Sequence, residues 1–346
     1  MARITYLNSF PTPNALDILA QHPEHELIRI DGNDPVERCF ETLAQAHAYQ
    51  CVGSRDEVPN ALRVGSEFLD RAPELLVVSA SGSGVDVFDL AACTEAGVLA
   101  VNQVGSNAQS VAEHALAMMI TVQRLICTAD RALRGGWTGS RLEFMGRDLS
   151  GKTLGIVGIG SIGTKLARIC GAGFDCKVLA YDPYLTAQEV SQRGAMSVGF
   201  DELLQSADVI SVHTPLTAET RNLFDRNAFT HMKKGAIFVN TARGSVHDED
   251  ALADVLVSGH LGGAGLDVWD SEPPAKEHRL LHLPNVIATP HIAGCTSDSL
   301  ANMAEYAATQ LLQIFAGEPP PRPVNPEVLP QFKQRFAQIL GGSIQA

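Results

Sequence analysis

The chain has little of what marks a metalloprotein, a disulfide scaffold or a nucleic-acid binder. Its seven cysteines, Cys39, Cys51, Cys93, Cys127, Cys170, Cys176 and Cys295, form no Cys-x-x-Cys pair. That spacing offers neither a zinc site nor a disulfide framework, so no metal is expected. Scattered cysteines in odd number fit a reducing compartment, and a cytoplasmic location is expected. Positive charge is scarce. Lys and Arg number 26 against 39 Asp and Glu, a net charge of −13. Nucleic-acid binding needs a basic footprint, so that class is set aside. An anionic small molecule is not excluded, because a site can be locally positive. No apolar run reaches the ~20 residues of a membrane helix, and no membrane partner is expected. The opening MARITYLNSF lacks an apolar core and a small-residue cleavage site, so no signal peptide is expected. Internal repeats and low-complexity tracts are missing as well.

What is present is an ordinary globular composition, 45% hydrophobic and 19% charged over 346 residues. That length exceeds what one core usually supports, so two domains are expected. Short apolar runs alternate with helical spacing. Arg3–Leu7, Glu26–Ile30, Ala48–Val52 and Leu75–Ser79 read as strands, and Asn14–Gln21 as a helix. Ser106–Arg134 has Ala, Leu, Met and Val at helical spacing and reads as one long helix or two. Residues 135–152, rich in glycine and charge, read as loop. Alternation then resumes, with strands expected at Thr153–Val157, Lys177–Tyr181, Val209–His213, Ala236–Asn240, Gly263–Val268 and Val286–Ala288. Thr296–Phe315 reads as a helix and Gly317–Pro330 as Pro-rich coil. The pattern predicts an α/β protein built on doubly wound parallel sheets.

Gly158-Ile159-Gly160-Ser161-Ile162-Gly163 is a G-x-G-x-x-G directly after an apolar strand and before a helical stretch. Gly158 suits the tight turn, Gly160 lets backbone approach a pyrophosphate, and Gly163 lets helix and strand pack closely. The free N–H groups of a helix start then face the phosphates. Asp182 ends the next strand, where an acid binds ribose hydroxyls and repels a 2′-phosphate. NAD is therefore expected over NADP.

Three later strand ends carry polar residues: Asn240-Thr241-Ala242-Arg243-Gly244, Asp267 to Glu272-Pro273, and Pro290-His291-Ile292-Ala293-Gly294. Ligands of open α/β sheets bind at such ends. Reducing a 2-oxo acid needs a cation for the carboxylate, and Arg grips one with two parallel bonds. It needs a proton donor titrating near neutrality, such as His. It also needs a carboxylate to orient that His and favour its charged form. Singly, each residue has a plainer reading. Arg243 reads equally as a surface arginine, Glu272 as an exposed loop acid, His291 as one of eleven histidines and Asp267 as a turn cap.

Together these segments resemble the D-isomer-specific 2-hydroxyacid dehydrogenase family over nearly the whole chain. The resemblance runs through Ser81–Asp86, Asn107–Glu113, Leu154–Gly163, Ala207–Leu216, Asn240–Gly244, Gly265–Pro273, Pro290–Gly294 and Val324–Pro326. It implies a catalytic set of Arg243, Glu272 and His291. It implies substrate binding by Ser81, Gly82, Ser83, Gly84 and Arg243, the loop N–H groups meeting the carboxylate. A plain glycine turn is the alternative for that loop. For NAD it implies Gly158, Gly160, Ser161, Ile162, Gly163, Asp182, His213, Thr214, Pro215, Thr241, Ala242, Arg243, Asp267, His291 and Gly294. The implied architecture is an NAD-binding Rossmann domain, residues 106–295, inserted in a flavodoxin-like substrate domain of residues 1–105 and 296–346. The active site would be the cleft, closing to exclude water. A homodimer is implied, with the helices after Asn107 at the interface, although an ordinary core helix explains Ala115–Leu125 as well.

Phosphoglycerate dehydrogenases are similar to this chain, and they meet the substrate phosphate partly with arginines that align with Gly53 and Ala80 here. Arg55 lies nearby and could substitute. No regulatory domain is expected beyond Asn325. These points favour a non-phosphorylated acid such as glyoxylate, hydroxypyruvate or a larger 2-oxo acid, with D-3-phosphoglycerate as the alternative. Formate dehydrogenases lack a glutamate at the position of Glu272, and phosphite dehydrogenase stays open. A different class, an NAD-sensing corepressor-like binding protein, is the remaining alternative.

Overall fold

The structure is a computed structural model that describes residues 1–345. It divides into two compact units, Met1–Asn107 with Ser297–Ala346, and Ala108–Thr296.

The first unit runs β1 (Arg3–Leu7), α1 (Asn14–Ala20), β2 (Glu26–Ile30), α2 (Val36–Leu43), β3 (Ala48–Val52), α3 (Ser66–Asp70), β4 (Val77–Ser81), α4 (Leu90–Glu95) and β5 (Leu99–Asn102). All strands are parallel, in the order β2-β1-β3-β4-β5. This is the flavodoxin-like doubly wound order. Its central strands β3 and β4 are buried along nearly their whole length, which is why they do not alternate apolar and polar residues. The expected strand at Leu75–Ser79 sits two residues further on. Leu75 and Leu76 are fully buried, but the ladder with β3 starts at Ala48 opposite Val77. Its last residues are small and polar, and Gln50 and Gln103 bind the hydroxyls of Ser81 and Ser79. β5 was not expected, being only four residues long.

The second unit opens with α5 (Ala108–Gln123) and α6 (Ile126–Arg134). Val111, Ala112, Ala115, Met118, Met119 and Val122 form one apolar stripe on α5. That stripe packs on the sheet described next. Leu125, in the left-handed region at φ 54°, separates the two helices, so the long stretch is broken. α6 buries none of its nine residues. The loop that follows includes a single 3-10 turn at Arg141–Phe144, capped by Ser140 and Glu143.

Then come β6 (Thr153–Val157), α7 (Ser161–Phe174), β7 (Lys177–Tyr181), α8 (Ala187–Gln192), β8 (Met196–Ser197), α9 (Phe200–Ser206), β9 (Val209–Val212), α10 (Arg226–His231), β10 (Ile237–Asn240), α11 (Glu249–Val257), β11 (Gly263–Leu266) and β12 (Val286–Ala288). All seven strands are parallel, ordered β12-β11-β10-β9-β6-β7-β8. The chain leaves β6 toward β7 on one side and returns to β9 on the other. The switch point, where such sheets bind ligands, therefore lies at the end of β6.

The chain closes the first unit with α12 (Ser297–Phe315) and α13 (Leu329–Leu340). The expected coil over Gly317–Pro330 ends early: Pro326–Val328 is a 3-10 turn, and α13 begins at Leu329. Pro330 fits there because the first helical positions need no donated N–H. Phe332 and Phe336 bury the helix against the unit's core. Among the described residues no helix is long and apolar enough to cross a membrane.

Candidate active site

Because the strands of the second unit are parallel, their carboxyl ends share one edge, and the expected cofactor and catalytic residues lie along it. Gly158, Gly160, Ser161, Ile162 and Gly163 form the turn from β6 into α7. Gly158 has φ 87°, and a Cβ there would lie 2.8 Å from the His213 carbonyl oxygen. A Cβ on Gly163 would lie 2.5 Å from the Gly158 carbonyl. Around Gly160 a Cβ would meet nothing within 4 Å, so this is the open side of the turn. Asp182 follows β7, and its carboxylate accepts from Ile159 N at 3.1 Å and Tyr184 N at 3.2 Å.

His213, Thr214 and Pro215 follow β9, and Thr241, Ala242 and Arg243 follow β10. His213 Nε2 meets the Ser211 hydroxyl at 2.9 Å, and burial pushes its pKa down to about 3, so the ring is neutral. His213 Nδ1 and the hydroxyls of Thr214 and Thr241 are buried without a partner among the described residues. Buried polar atoms in that state call for a ligand or water. The open turn, the helix start, the ribose-position acid and these orphaned atoms together fit a dinucleotide at the switch point.

A second cluster lies at the ends of β10, β11 and β12. His291 Nδ1 bonds Glu272 at 2.7 Å. That bond raises the His291 pKa above its ordinary 6.5, against burial and the nearby Arg243 charge. Burial alone would lift Glu272. The His291 bond, the Trp269 N–H and Arg243 outweigh it, and its pKa falls below the usual value. Arg243 thus acts on both partners, and the structure brings the three groups into one electrostatic neighbourhood. Its own loop is folded by Asn240, which accepts from Ala242 N at 2.9 Å and donates to the Arg243 carbonyl at 2.8 Å.

Sequence reasoning missed the groups that aim this cluster. Trp269 N donates to Glu272 at 3.1 Å, and its indole N–H donates to the Thr289 carbonyl at 3.1 Å. The Gly244 backbone lies against Trp269, leaving no room for a Cβ. Trp269, through its backbone and its indole, therefore ties three strand ends together. Its place between Asp267 and Glu272 was visible, but its partners come from distant segments. Asp267 has no exposed surface, and its carboxylate is occupied by protein donors, including Ile292 N and Ala293 N at 2.8 Å each. Gly294 follows on the same turn. Among the described residues no cluster of His, Cys, Asp and Glu could hold a metal ion.

In the first unit, Ser81, Gly82, Ser83 and Gly84 form the turn after β4. Its carbonyls are held: Gln103 N donates to Gly82 O at 2.7 Å and Asn102 Nδ2 to Ser83 O at 2.9 Å. Gly82 has φ 85°.

The chain is similar to known proteins over most of its length. The family model for the D-isomer specific 2-hydroxyacid dehydrogenase, NAD binding domain, matches residues 116–293. A D-3-phosphoglycerate dehydrogenase of Archaeoglobus fulgidus is 39% identical over 286 residues, 82% of this chain and 53% of that protein. The chain thus spans about half the length of the curated relatives it matches. Among solved structures, a Thermus thermophilus protein is 34% identical with a TM-score of 0.80, covering 93% of this chain and 99% of its own. A glyoxylate reductase from Paecilomyes thermophila is 28% identical with a TM-score of 0.83, covering 94% and 99%. With the NAD-binding domain model matching just over half of the chain and a solved relative covered almost end to end at 34% identity, the chain belongs to the D-isomer-specific 2-hydroxyacid dehydrogenase family.

Proposed function

We propose that the chain is an NAD-dependent oxidoreductase that moves a hydride between nicotinamide and C2 of a small D-2-hydroxy or 2-oxo acid. The carrying observation is the 2.7 Å His291–Glu272 bond beside Arg243. The residues of the β6 turn would hold NAD(H), which would supply or accept the hydride. His291 gives a proton to the oxygen on C2 as the new C–H bond forms, and takes it back in oxidation. Glu272 orients the imidazole and favours its charged form. Arg243 pairs with the substrate carboxylate. In the first unit, the N–H groups of Gly82, Ser83 and Gly84 are the candidate donors to a carboxylate.

The reading extends to a non-phosphorylated acid. A side chain at position 53 has no room, because a Cβ on Gly53 would lie 2.7 Å from both Ser81 O and Gly84 O. Ala80 is fully buried. A phosphate dianion would therefore find no arginine at either place. The second reading is a D-3-phosphoglycerate dehydrogenase, the name carried by the Archaeoglobus relative. Arg55 and Arg63, which line one concave surface of the first unit together with Asp86 and Asp89, are the cations that favour it.

Two further points belong to the same reading. A homodimer is supported by α6, with Ile126 and Leu133 exposed, and by exposed Leu142 and Met145 nearby. A cytoplasmic setting is supported by seven free cysteines and the acidic balance. The test is NADH oxidation with glyoxylate, hydroxypyruvate, pyruvate, bulkier 2-oxo acids and 3-phosphohydroxypyruvate. Turnover of the unphosphorylated acids is expected. Equal or faster turnover of the phosphorylated one would select the second reading.

A further inference from the structure

Asp267 grips the segment that carries His291 from both sides. Its backbone carbonyl accepts from His291 N at 2.7 Å. Its carboxylate accepts from Ile292 N and Ala293 N at 2.8 Å each, and from the Thr289 hydroxyl at 2.5 Å. Between these bonds His291 sits in the left-handed region, at φ 56°, which a non-glycine residue adopts only when its surroundings impose it. Thr289 spends its hydroxyl hydrogen on Asp267, so a lone pair is left facing His114 Nε2, 3.1 Å away. That bonding pattern assigns the hydrogen to Nε2 of His114. The same Nε2 lies 3.7 Å from Asp267 Oδ1. His114 stands on α5, far in sequence from the strand ends, and neither the fingerprint nor the Arg-Glu-His set involves it.

We propose that His114 is a positioning residue for the proton donor, acting through Thr289 and Asp267 to hold the His291 ring against Glu272. By donating to Thr289, it fixes the direction in which that hydroxyl points. A fixed hydroxyl and two backbone N–H groups then leave the buried carboxylate one orientation. The carboxylate in turn sets the peptide planes of residues 291–293, and so the direction of the imidazole. Buried carboxylates hold such geometry only while every donor is in place, because a lost donor leaves an unpaired acceptor away from water. The chain of bonds also makes α5 a structural input to the proton-donor loop. The inference rests on the reading of His291 as the proton donor.

The experiment uses the whole chain with NADH and the best 2-oxo acid, together with NMR titration of the His291 ring. His114→Ala should lower kcat about tenfold, the scale expected for a displacement of well under 1 Å. Its Kd for NADH should stay within about twofold. His114→Gln places an amide donor where Nε2 stood and should recover most of the loss. Thr289→Val keeps the volume, removes the relay and should match His114→Ala, even where that variant folds poorly. The double variant should be no worse than the poorer single one.

The charged groups acting on His291 are Glu272, Arg243 and Asp267. Loosening the Glu272 bond should therefore lower the His291 midpoint in His114→Ala and Thr289→Val, and His114→Gln should restore it. An unchanged midpoint in folded Thr289→Val, or a His114→Gln as impaired as His114→Ala, overturns the proposal. The titration needs no turnover. If the wild type reduces no 2-oxo acid while the midpoint still moves, the proposed function falls and the positioning role stands.

Discussion

The two glycine turns of this chain look alike in sequence and differ in what makes them tight. The turn after β6 is crowded by its own residues and the neighbouring strand end. Gly158 and Gly82 share a left-handed φ of 87° and 85°, but a Cβ on Gly158 would lie 2.8 Å from the His213 carbonyl oxygen and one on Gly163 would lie 2.5 Å from the Gly158 carbonyl oxygen. The turn after β4 is roomier at its own glycine, where a Cβ on Gly82 would meet only Met303 Sδ at 3.8 Å. Its steric demand falls instead on Gly53, at the end of β3, nearly thirty residues earlier. A motif is readable when the constraint lies inside it. When the constraint lies on another strand, the motif looks like any glycine turn.

The largest effect should confirm that the chemistry belongs to the second unit. His291→Ala is expected to slow reduction by about 10²–10⁴-fold, the usual contribution of a positioned acid, with NADH affinity nearly unchanged. A fall below fivefold in single-turnover measurements would remove His291 from the reaction. Gly158→Ala tests the crowded turn. A left-handed alanine costs about 1–2 kcal/mol before any clash, so NAD affinity should drop about tenfold or more by calorimetric titration. Asp182→Ala should narrow the preference for NAD over NADP by about tenfold, or ~1.4 kcal/mol. It also frees Ile159 N, so some loss for both cofactors is expected. An unchanged ratio of the two would refute the ribose assignment. Gly53→Ala is the matching probe of the roomier turn. It should raise KM for the 2-oxo acid by about fivefold, or ~1 kcal/mol, and leave NADH affinity alone. Equal damage to both constants would mean that the two turns do not differ as described.

The mildest test is pH. The Glu272 bond raises His291 above its ordinary 6.5, so the charged form persists to higher pH in the folded protein. kcat/KM for reduction should be flat at low pH and fall as pH rises through that elevated midpoint. Oxidation should do the reverse. Stability follows the same linkage. The His291 contribution is complete below the unfolded value and is lost as pH rises through the folded one. Glu272 is lowered from 4.5, so its contribution is complete above that value and is lost as pH falls. Chemical denaturation at several pH values should show both limbs shrink in Glu272→Gln.

Much of the fold and the site was legible because it is written in local periods. Parallel strands buried on both faces produce apolar runs, and helices between them produce 3.6-residue spacing. The strands from Thr153–Val157 to Val286–Ala288 fall within a residue or two of expectation at each end. β5 and β8 escaped notice, one four residues long and one only two. Strand β4 slid by two because burial and ladder pairing do not begin together. In the site, Arg243, Glu272 and His291 were visible as residue types at strand ends. The bonds made by Trp269 and Thr289 were not, since each reaches a segment that only the fold brings near.

By itself the sequence determined the α/β class, the dinucleotide turn and its acid, and the chemical kinds available at three strand ends. Those depend on local geometry and on intrinsic acidity. Only the tertiary structure decided that His291 adopts a left-handed backbone against Glu272 and that Asp267 is consumed in holding it. It alone decided that Gly53 leaves no room for a side chain. Each of these depends on distances between atoms far apart in the chain, and such distances exist only once the sheets have formed.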